Sequence, residues 1–277
     1  MILKKDLCIR DPFILKEKDK YYLYSSYKGP NDKYPSFICY QSDDLEHFED
    51  PVVVFKRPDD FWGTKDFWAP EVHLYRGKYY LFASFKSEDK CRGTQIFEAD
   101  NPLGPFIPLT KYAITPNDWE CLDGTLWIED NVPYIVFCHE WLQIQNGTIC
   151  AMRLSDDLKE TIGDPITLFK ATDAKWVVPF YDQNYITDGP FLFKDKNELC
   201  MIWSSYCTHG YAIGLVKSDR LFGKWKHQDT PLYSDDGGHA MLFNDNSEIK
   251  IAFHSPNTPN GEERMVIKHI KELGVLL

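Results

Sequence analysis

Lys20-Tyr-Tyr-Leu-Tyr-Ser-Ser26 and Lys78-Tyr-Tyr-Leu-Phe-Ala-Ser84 are two copies of one short segment. Weaker copies read Val132-Pro-Tyr-Ile-Val-Phe-Cys138, Glu198-Leu-Cys-Met-Ile-Trp-Ser-Ser205 and Glu248-Ile-Lys-Ile-Ala-Phe-His-Ser255. All five are dense in aromatic and aliphatic residues, which fit the pleated, half-buried surface of a strand. Each follows a short motif by a similar distance: Arg10-Asp-Pro-Phe, Ala69-Pro-Glu-Val, Leu122-Asp-Gly-Thr, Thr187-Asp-Gly-Pro and Gly237-Gly-His-Ala. The central residues are Asp11, Glu71, Asp123, Asp188 and His239, and they recur at steps of roughly 50–65 residues.

A second marker trails four of these motifs: Ser42-Asp-Asp-Leu, Ala99-Asp-Asn-Pro-Leu, Ser155-Asp-Asp-Leu and Ser218-Asp-Arg-Leu. A repeat of this length, holding several short strands, is the signature of a β-propeller with one small sheet per blade. Five copies predict an all-β, five-bladed β-propeller over residues 1–277, a single domain. A β-sandwich is the competing reading, but it does not account for two markers in shared register. The apolar N-terminal positions Ile2, Leu3, Leu7 and Ile9 are expected to add a strand to the last blade and close the ring. The stretches 57–67 and 171–187 read as long loops, which in compact domains often carry function.

Composition narrows the class of partner. Net charge is −11, which argues against nucleic acid and anionic membranes. No apolar run approaches the roughly 20 residues of a membrane span. The N-terminus lacks the apolar core of a signal peptide, so a cytoplasmic location is expected. Aromatic residues make up 15% of the chain, which suits neutral sugars, whose CH faces stack on rings. None of the eight cysteines forms a CxxC pair, so buried free thiols are expected rather than a zinc site.

In a propeller the innermost strand of each blade borders a central cavity. Four of the five motif centres are acidic, and three are Asp followed by Pro or Gly: Asp11-Pro12, Asp123-Gly124 and Asp188-Gly189. Any one alone reads as a turn. Three in register with a repeat point instead to carboxylates converging on the axis.

Together Arg10-Asp-Pro-Phe13, Trp68-Ala-Pro-Glu71, Leu122-Asp-Gly-Thr-Leu-Trp-Ile-Glu-Asp130 and Thr187-Asp-Gly-Pro-Phe-Leu192 resemble glycoside hydrolase family 43, over nearly the whole chain. The resemblance implies the same propeller and an inverting glycosidase acting on α-L-arabinofuranosides or β-D-xylosides of plant cell-wall polymers. Asp11 then matches the general base and Asp123 the carboxylate that tunes and orients the acid. The fourth repeat carries the acid, usually Glu in Glu-Gly-Pro. This chain has Asp188 there, which withdraws the proton by on the order of 1.5 Å. Glu140, in Phe137-Cys-His-Glu-Trp141, is an alternative acid or a substrate contact.

An inverting enzyme needs base and acid roughly 6.5–9.5 Å apart to admit a water, and an acid that keeps its proton near neutrality. Burial and a neighbouring carboxylate both supply the second condition. Trp68 and Phe13 are candidate sugar platforms, with Phe67, Trp127 and Trp141 weaker ones that equally suit the core. Arg264 is expected to reach the sugar or a catalytic carboxylate. No cofactor is expected to be required. By resemblance to arabinanase-like members, His239 marks a site where a calcium or sodium ion could rest, although one nitrogen alone does not make a hard-cation site. Two readings of other kinds stand beside the hydrolase: a glycan-binding propeller disabled by the shortened acid, and a glycoside phosphorylase, which needs a basic phosphate pocket.

Overall fold

Where aromatic and aliphatic residues crowd each repeat, the computed structural model forms strands, and it describes residues 1–27, 36–258 and 262–275. The side chains of Ser26 and Tyr27 are outside the described set. The strands make five antiparallel sheets arranged in a ring, a five-bladed β-propeller. The inner strands are Phe13–Glu17, Lys65–Tyr75, Cys121–Glu129, Asp188–Asp195 and Gly238–Asp245. The repeated segments that open the sequence reading are the second strands, Lys20–Tyr27, Lys78–Lys86, Val132–His139, Glu198–Cys207 and Glu248–Ser255. Each inner strand contacts those of the neighbouring blades, and blade five returns to blade one.

Ring closure corrects one expectation. Ile2–Leu3 pairs with His47–Phe48 on the outer side of blade one, not with blade five. The seam is closed mainly by side chains: Lys16 Nζ lies 2.9 Å from Asp245 Oδ1, and the Tyr21 hydroxyl donates to the same carboxylate. One backbone bond, Ile9 N–H to Glu263 O at 3.3 Å, adds to it. Between blades one and two, Phe37, Phe55, Phe61, Phe67, Phe85 and Phe97 pack as one aromatic core, with Phe55 and Phe97 centroids 4.7 Å apart. Phe67, at 4% exposure, is therefore core. So is much of the chain's aromatic content, because wedge-shaped gaps between twisted sheets are filled by large rings.

The feature that builds the centre is a β-bulge near the start of the inner strand in blades two to five, with a positive-φ residue, Asp11, at the matching place in blade one. Register slips between Trp68 and Glu71, Leu122 and Thr125, Asp188 and Phe191, and Gly238 and Met241. The extra residue has a positive φ: 47° at Ala69, 53° at Asp123, 50° at Gly189 and 53° at His239, with Asp11 at 49° in blade one. Asp and His tolerate this left-handed region better than most residues, and Gly adopts it freely. The true repeat register is thus Asp11, Ala69, Asp123, Gly189 and His239. Glu71 lies two residues past its bulge and Asp188 one residue before.

The bulges are tied blade to blade. Asp123 N–H donates to Ser84 Oγ of blade two at 2.9 Å, and His239 N–H to Ser204 Oγ of blade four at 2.8 Å. Asp11 N–H points at His254 Nδ1 of blade five, 3.3 Å away. Ser84, Ser204 and His254 hold equivalent places, opposite Trp68, Asp188 and Gly238 on the second strands. Blade three has Cys138 there, opposite Leu122. Gly189 N–H instead donates to Asp123 Oδ2 at 2.9 Å. Ser84 and Ser204, near the ends of their repeated segments, thus have a structural reason: they satisfy buried N–H groups that the bulges remove from the ladder.

All eight cysteines are free thiols, and only Cys8 is exposed. Among the described residues no helix is long and apolar enough to cross a membrane. Of the two expected loops, 57–67 runs into the inner strand that begins at Lys65, and 171–187 holds a short 3-10 turn, Ala171–Asp173.

Candidate active site

At one end of the ring a cavity of about 700 Å³ opens over the bulges. Residues just before the bulges face into it: Arg10, Trp68, Leu122 and Asp188. Bulge residues Asp11, Asp123 and His239 line it as well. Three of the four acidic motif centres, Asp11, Asp123 and Asp188, are therefore brought to one pocket. The fourth, Glu71, is 5% exposed and bonded to His73 Nε2 at 3.0 Å, outside the cavity.

His239 sits between two of the carboxylates. Its Nδ1 is 3.2 Å from Asp11 Oδ1 and 3.7 Å from Asp123 Oδ2. Burial pushes the imidazole toward its neutral form, but Asp11, Asp123, Glu71 and Asp188 together hold its pKa above the usual histidine range. His254 behaves differently. Burial drives it down to about 4. Its Nδ1 receives the Asp11 N–H, which assigns the neutral tautomer with Nε2–H donated to Asn257 Oδ1 at 3.1 Å. A neutral His254 makes no ion pair with Asp11; it is an acceptor that fixes the bulge.

The carboxylates are driven in opposite directions. Burial raises the Asp11 pKa, but His239 and the Arg10 guanidinium, 3.8 Å away, outweigh it and leave Asp11 below the usual range. Asp188 is raised, first by burial and then by the charge of Asp123. Asp123 is raised too, by burial and against the pull of His239. The cavity therefore holds one firmly ionised carboxylate, Asp11, beside the Asp123 and Asp188 pair, which keeps a proton well above the ordinary carboxylate range.

Glu140 stands at the end of the second strand of blade three and lines the same cavity. Burial lifts it to about 7, against Arg92, to which it is ion-paired. Arg92 also bonds Asp66 Oδ2 at 2.8 Å, and its guanidinium lies 4.2 Å from the Trp68 ring centroid. Trp68 is 41% exposed, so one face of the indole is backed by a fixed cation while the side chain remains open to the cavity. Trp141 and Phe180 border the cavity mouth, with ring centroids 6.1 Å apart.

Two candidates fall elsewhere. Phe13 is 5% exposed, packs on His73 at 5.3 Å and borders the cavity of about 450 Å³ at the other end of the inner strands, with Trp127. Arg264 donates to the carbonyls of Lys5 and Glu263, and Glu263 rather than Arg264 lines the site. The sequence reading missed Arg92 and Tyr211, whose hydroxyl donates to Asp188 Oδ2 at 2.9 Å. Tyr211 lies on the third strand of blade four and Arg92 just before the third strand of blade two, both away from any repeated motif. His239 Nε2 is buried without a hydrogen-bond partner among the described residues. No group of three His, Cys, Asp or Glu there is placed to hold a metal. A single nitrogen on an imidazole held toward its cationic form does not fit direct ligation of calcium or sodium.

The profile of "Glycosyl hydrolases family 43" matches residues 6–270. The chain is 42% identical to the crystal structure of an endo-arabinase from Bacteroides thetaiotaomicron VPI-5482, covering 97% of this chain and 96% of that one, with a TM-score of 0.89. An endo-1,4-beta-xylanase from the same organism is 26% identical at a TM-score of 0.80, covering 95% and 90%. A xylosidase/arabinosidase from Bacteroides ovatus is 27% identical over 43% of this chain and 42% of its own length. The match likewise spans 43% of an α-L-arabinofuranosidase from Humicola insolens, so this chain covers under half the length of these two curated relatives. Carboxylates of opposite bias on a bulged five-blade ring, with a profile that runs almost end to end, establish the chain as a member of glycosyl hydrolase family 43.

Proposed function

We propose that the chain is an inverting glycosidase that cleaves α-L-arabinofuranosyl linkages within arabinan, with Asp11 as base and Asp188 as acid. The observation that carries this reading is the opposed bias of the two carboxyls in one cavity: Asp11 held ionised by His239 and Arg10, Asp188 held protonated by burial and Asp123. Asp11 takes a proton from water as the water oxygen bonds the anomeric carbon. The glycosidic C–O bond breaks, and Asp188 delivers its proton to the departing oxygen. One bond forms, one breaks, and the two carboxyls exchange charge states. Asp123, bonded to Gly189 N–H beside Asp188, raises and orients the acid.

A proton-retaining Asp188 supports catalysis over an inert binding module. Basic groups at the cavity are few and engaged, Arg10 with Asp11 and Glu263 and Arg92 with Glu140 and Asp66, which disfavours a phosphate site. Glu140 reads as the support of the Trp68 platform, since its carboxyl is spent on Arg92. Arabinan is favoured over xylan by the higher identity to the endo-arabinase. Internal cleavage is favoured by exposed apolar side chains at and next in sequence to the cavity-lining Trp141 and Phe180, with Phe180 48%, Leu142 54% and Tyr181 65% exposed, a surface suited to further sugar units. No cofactor is needed, and no step runs through a metal ion.

The test is hydrolysis of linear arabinan by wild type and Asp11→Asn, with product anomers followed by proton NMR. We expect inverted product and a loss of about 10²–10⁴ in turnover for the variant. Near-normal turnover in Asp11→Asn removes Asp11 from the mechanism, and cleavage of xylan alone overturns the substrate.

A further inference from the structure

Tyr211 is 1% exposed on the third strand of blade four. Its placement is fixed from four sides. The backbone N–H donates to Asp236 Oδ1 at 3.2 Å. The ring stacks on His254, centroids 5.8 Å apart and 24° between planes, and lies 5.3 Å from Tyr206. Against it packs Gly238, where any Cβ would come within 2.3 Å of Tyr211 Cε1. The Gly-Gly before His239 in the fifth motif thus makes room for this ring.

The hydroxyl reaches Asp188 Oδ2. Burial raises the phenol far above its usual range, so it remains a donor wherever the enzyme works. Among the described residues Asp188 Oδ1 has no hydrogen-bond partner. A short acid that must deliver a proton needs its free oxygen aimed at the leaving group, and a bond at the other oxygen fixes that choice. We propose that Tyr211 is a positioning residue that holds Asp188 by Oδ2 and leaves Oδ1 as the oxygen that carries and delivers the proton. The proposal rests on Asp188 being the acid of the reading above.

The other groups facing Asp188 are identified by their blades. Blade three presents Asp123, Glu140 and the Cys138 thiol; blade one presents Asp11 and Arg10. Blade five presents His239, and blade four itself Tyr206. Tyr211 is the group that touches the carboxyl by a hydrogen bond, and that bond favours the ionised form. Removing it therefore moves the acid's titration upward.

Tyr211→Phe in the full chain tests this. On arabinan we expect kcat to fall about tenfold with KM held within about twofold, and the alkaline limb of the kcat profile to rise by about half to one pH unit. Hydrolysis of a 2,4-dinitrophenyl arabinofuranoside, whose leaving group needs no proton, should stay within about twofold of wild type. Arabinotriose binding by calorimetry reports that the variant's cavity is intact. An unmoved alkaline limb, or equal losses on both substrates, overturns the assignment. Asp188→Ala separates the two levels: if it shows no leaving-group dependence, the acid assignment itself falls. If it does and Tyr211→Phe leaves the limb in place, only the positioning role falls.

Discussion

The bond from His239 N–H to Ser204 Oγ joins the stability of the ring to the chemistry at its centre. Ser204 is fully buried at 0% exposure, and the bond is 2.8 Å long. Ser204→Ala removes the acceptor and leaves a buried N–H with nothing to receive it. Such a loss costs about 1–3 kcal/mol. For a chain of 277 residues each kcal/mol moves the melting temperature by about 2–4 °C, so a fall of roughly 2–12 °C is expected. Calorimetry at pH 7 measures it. The same bond fixes the bulge that places His239 Nδ1 3.2 Å from Asp11. Ångström-scale displacement of a catalytic constellation costs up to about 10²-fold in rate, so arabinan turnover should fall by about tenfold or more. Ser84→Ala, which unties Asp123 in the same way, should behave alike. If Ser204→Ala melts within about 1 °C of wild type and turns over normally, the inter-blade bonds do not hold the bulges, and the account of the repeated serines is wrong.

Activity should follow a bell in pH whose acid limb lies below the ordinary carboxylate range, from Asp11, and whose alkaline limb lies near neutrality, from Asp188; a limb order that survives Asp188→Ala unchanged would refute this. The same raised group acts on stability. Its folded pKa exceeds the unfolded one, so the folded state binds more protons between the two, and stability is fullest below the unfolded value and lost as pH rises through the folded one. Asp188→Asn should therefore narrow the drop in melting temperature between pH 5 and pH 8, read by calorimetry across that range. Trp68→Ala should raise KM for arabinan oligosaccharides about tenfold or more with kcat less affected, and Arg92→Met should give a milder version; an unchanged KM in Trp68→Ala removes the platform. Exhaustive chelation with EDTA should change turnover by less than about twofold, and a large loss restored by calcium would place a cation in the mechanism after all.

Much of the architecture was written along the chain. Alternating aromatic segments and two markers in shared register gave the blade count, and Asp11, Asp123 and Asp188 were legible because an acidic residue beside Pro or Gly recurs at the blade period. These are local signals: strand propensity and turn chemistry belong to a few neighbouring residues each. The exact register was not legible, because a bulge shifts the inward face by one residue and only strand pairing reveals it; Ala69 and Gly189, not Glu71 and Asp188, are the equivalent bulge positions. The apolar N-terminal stretch also misled, because Ile2–Leu3 found its partner in blade one, and pairing of short edges depends on which edge is near in space.

The side chains that act on the carboxyls were decided by the tertiary structure alone. Arg92 reaches Glu140 of the next blade and Trp68 of its own, and Tyr211 reaches Asp188 across its own sheet from a strand with no motif. Phe13 and Trp68 looked alike as platforms in sequence, yet one faces the core and the other the cavity, because they stand on opposite sides of a bulge. The sequence determines which groups can ionise. How far Asp11 falls and Asp188 rises depends on desolvation and on charges brought close by ring closure, and those distances exist only once all five blades are in place.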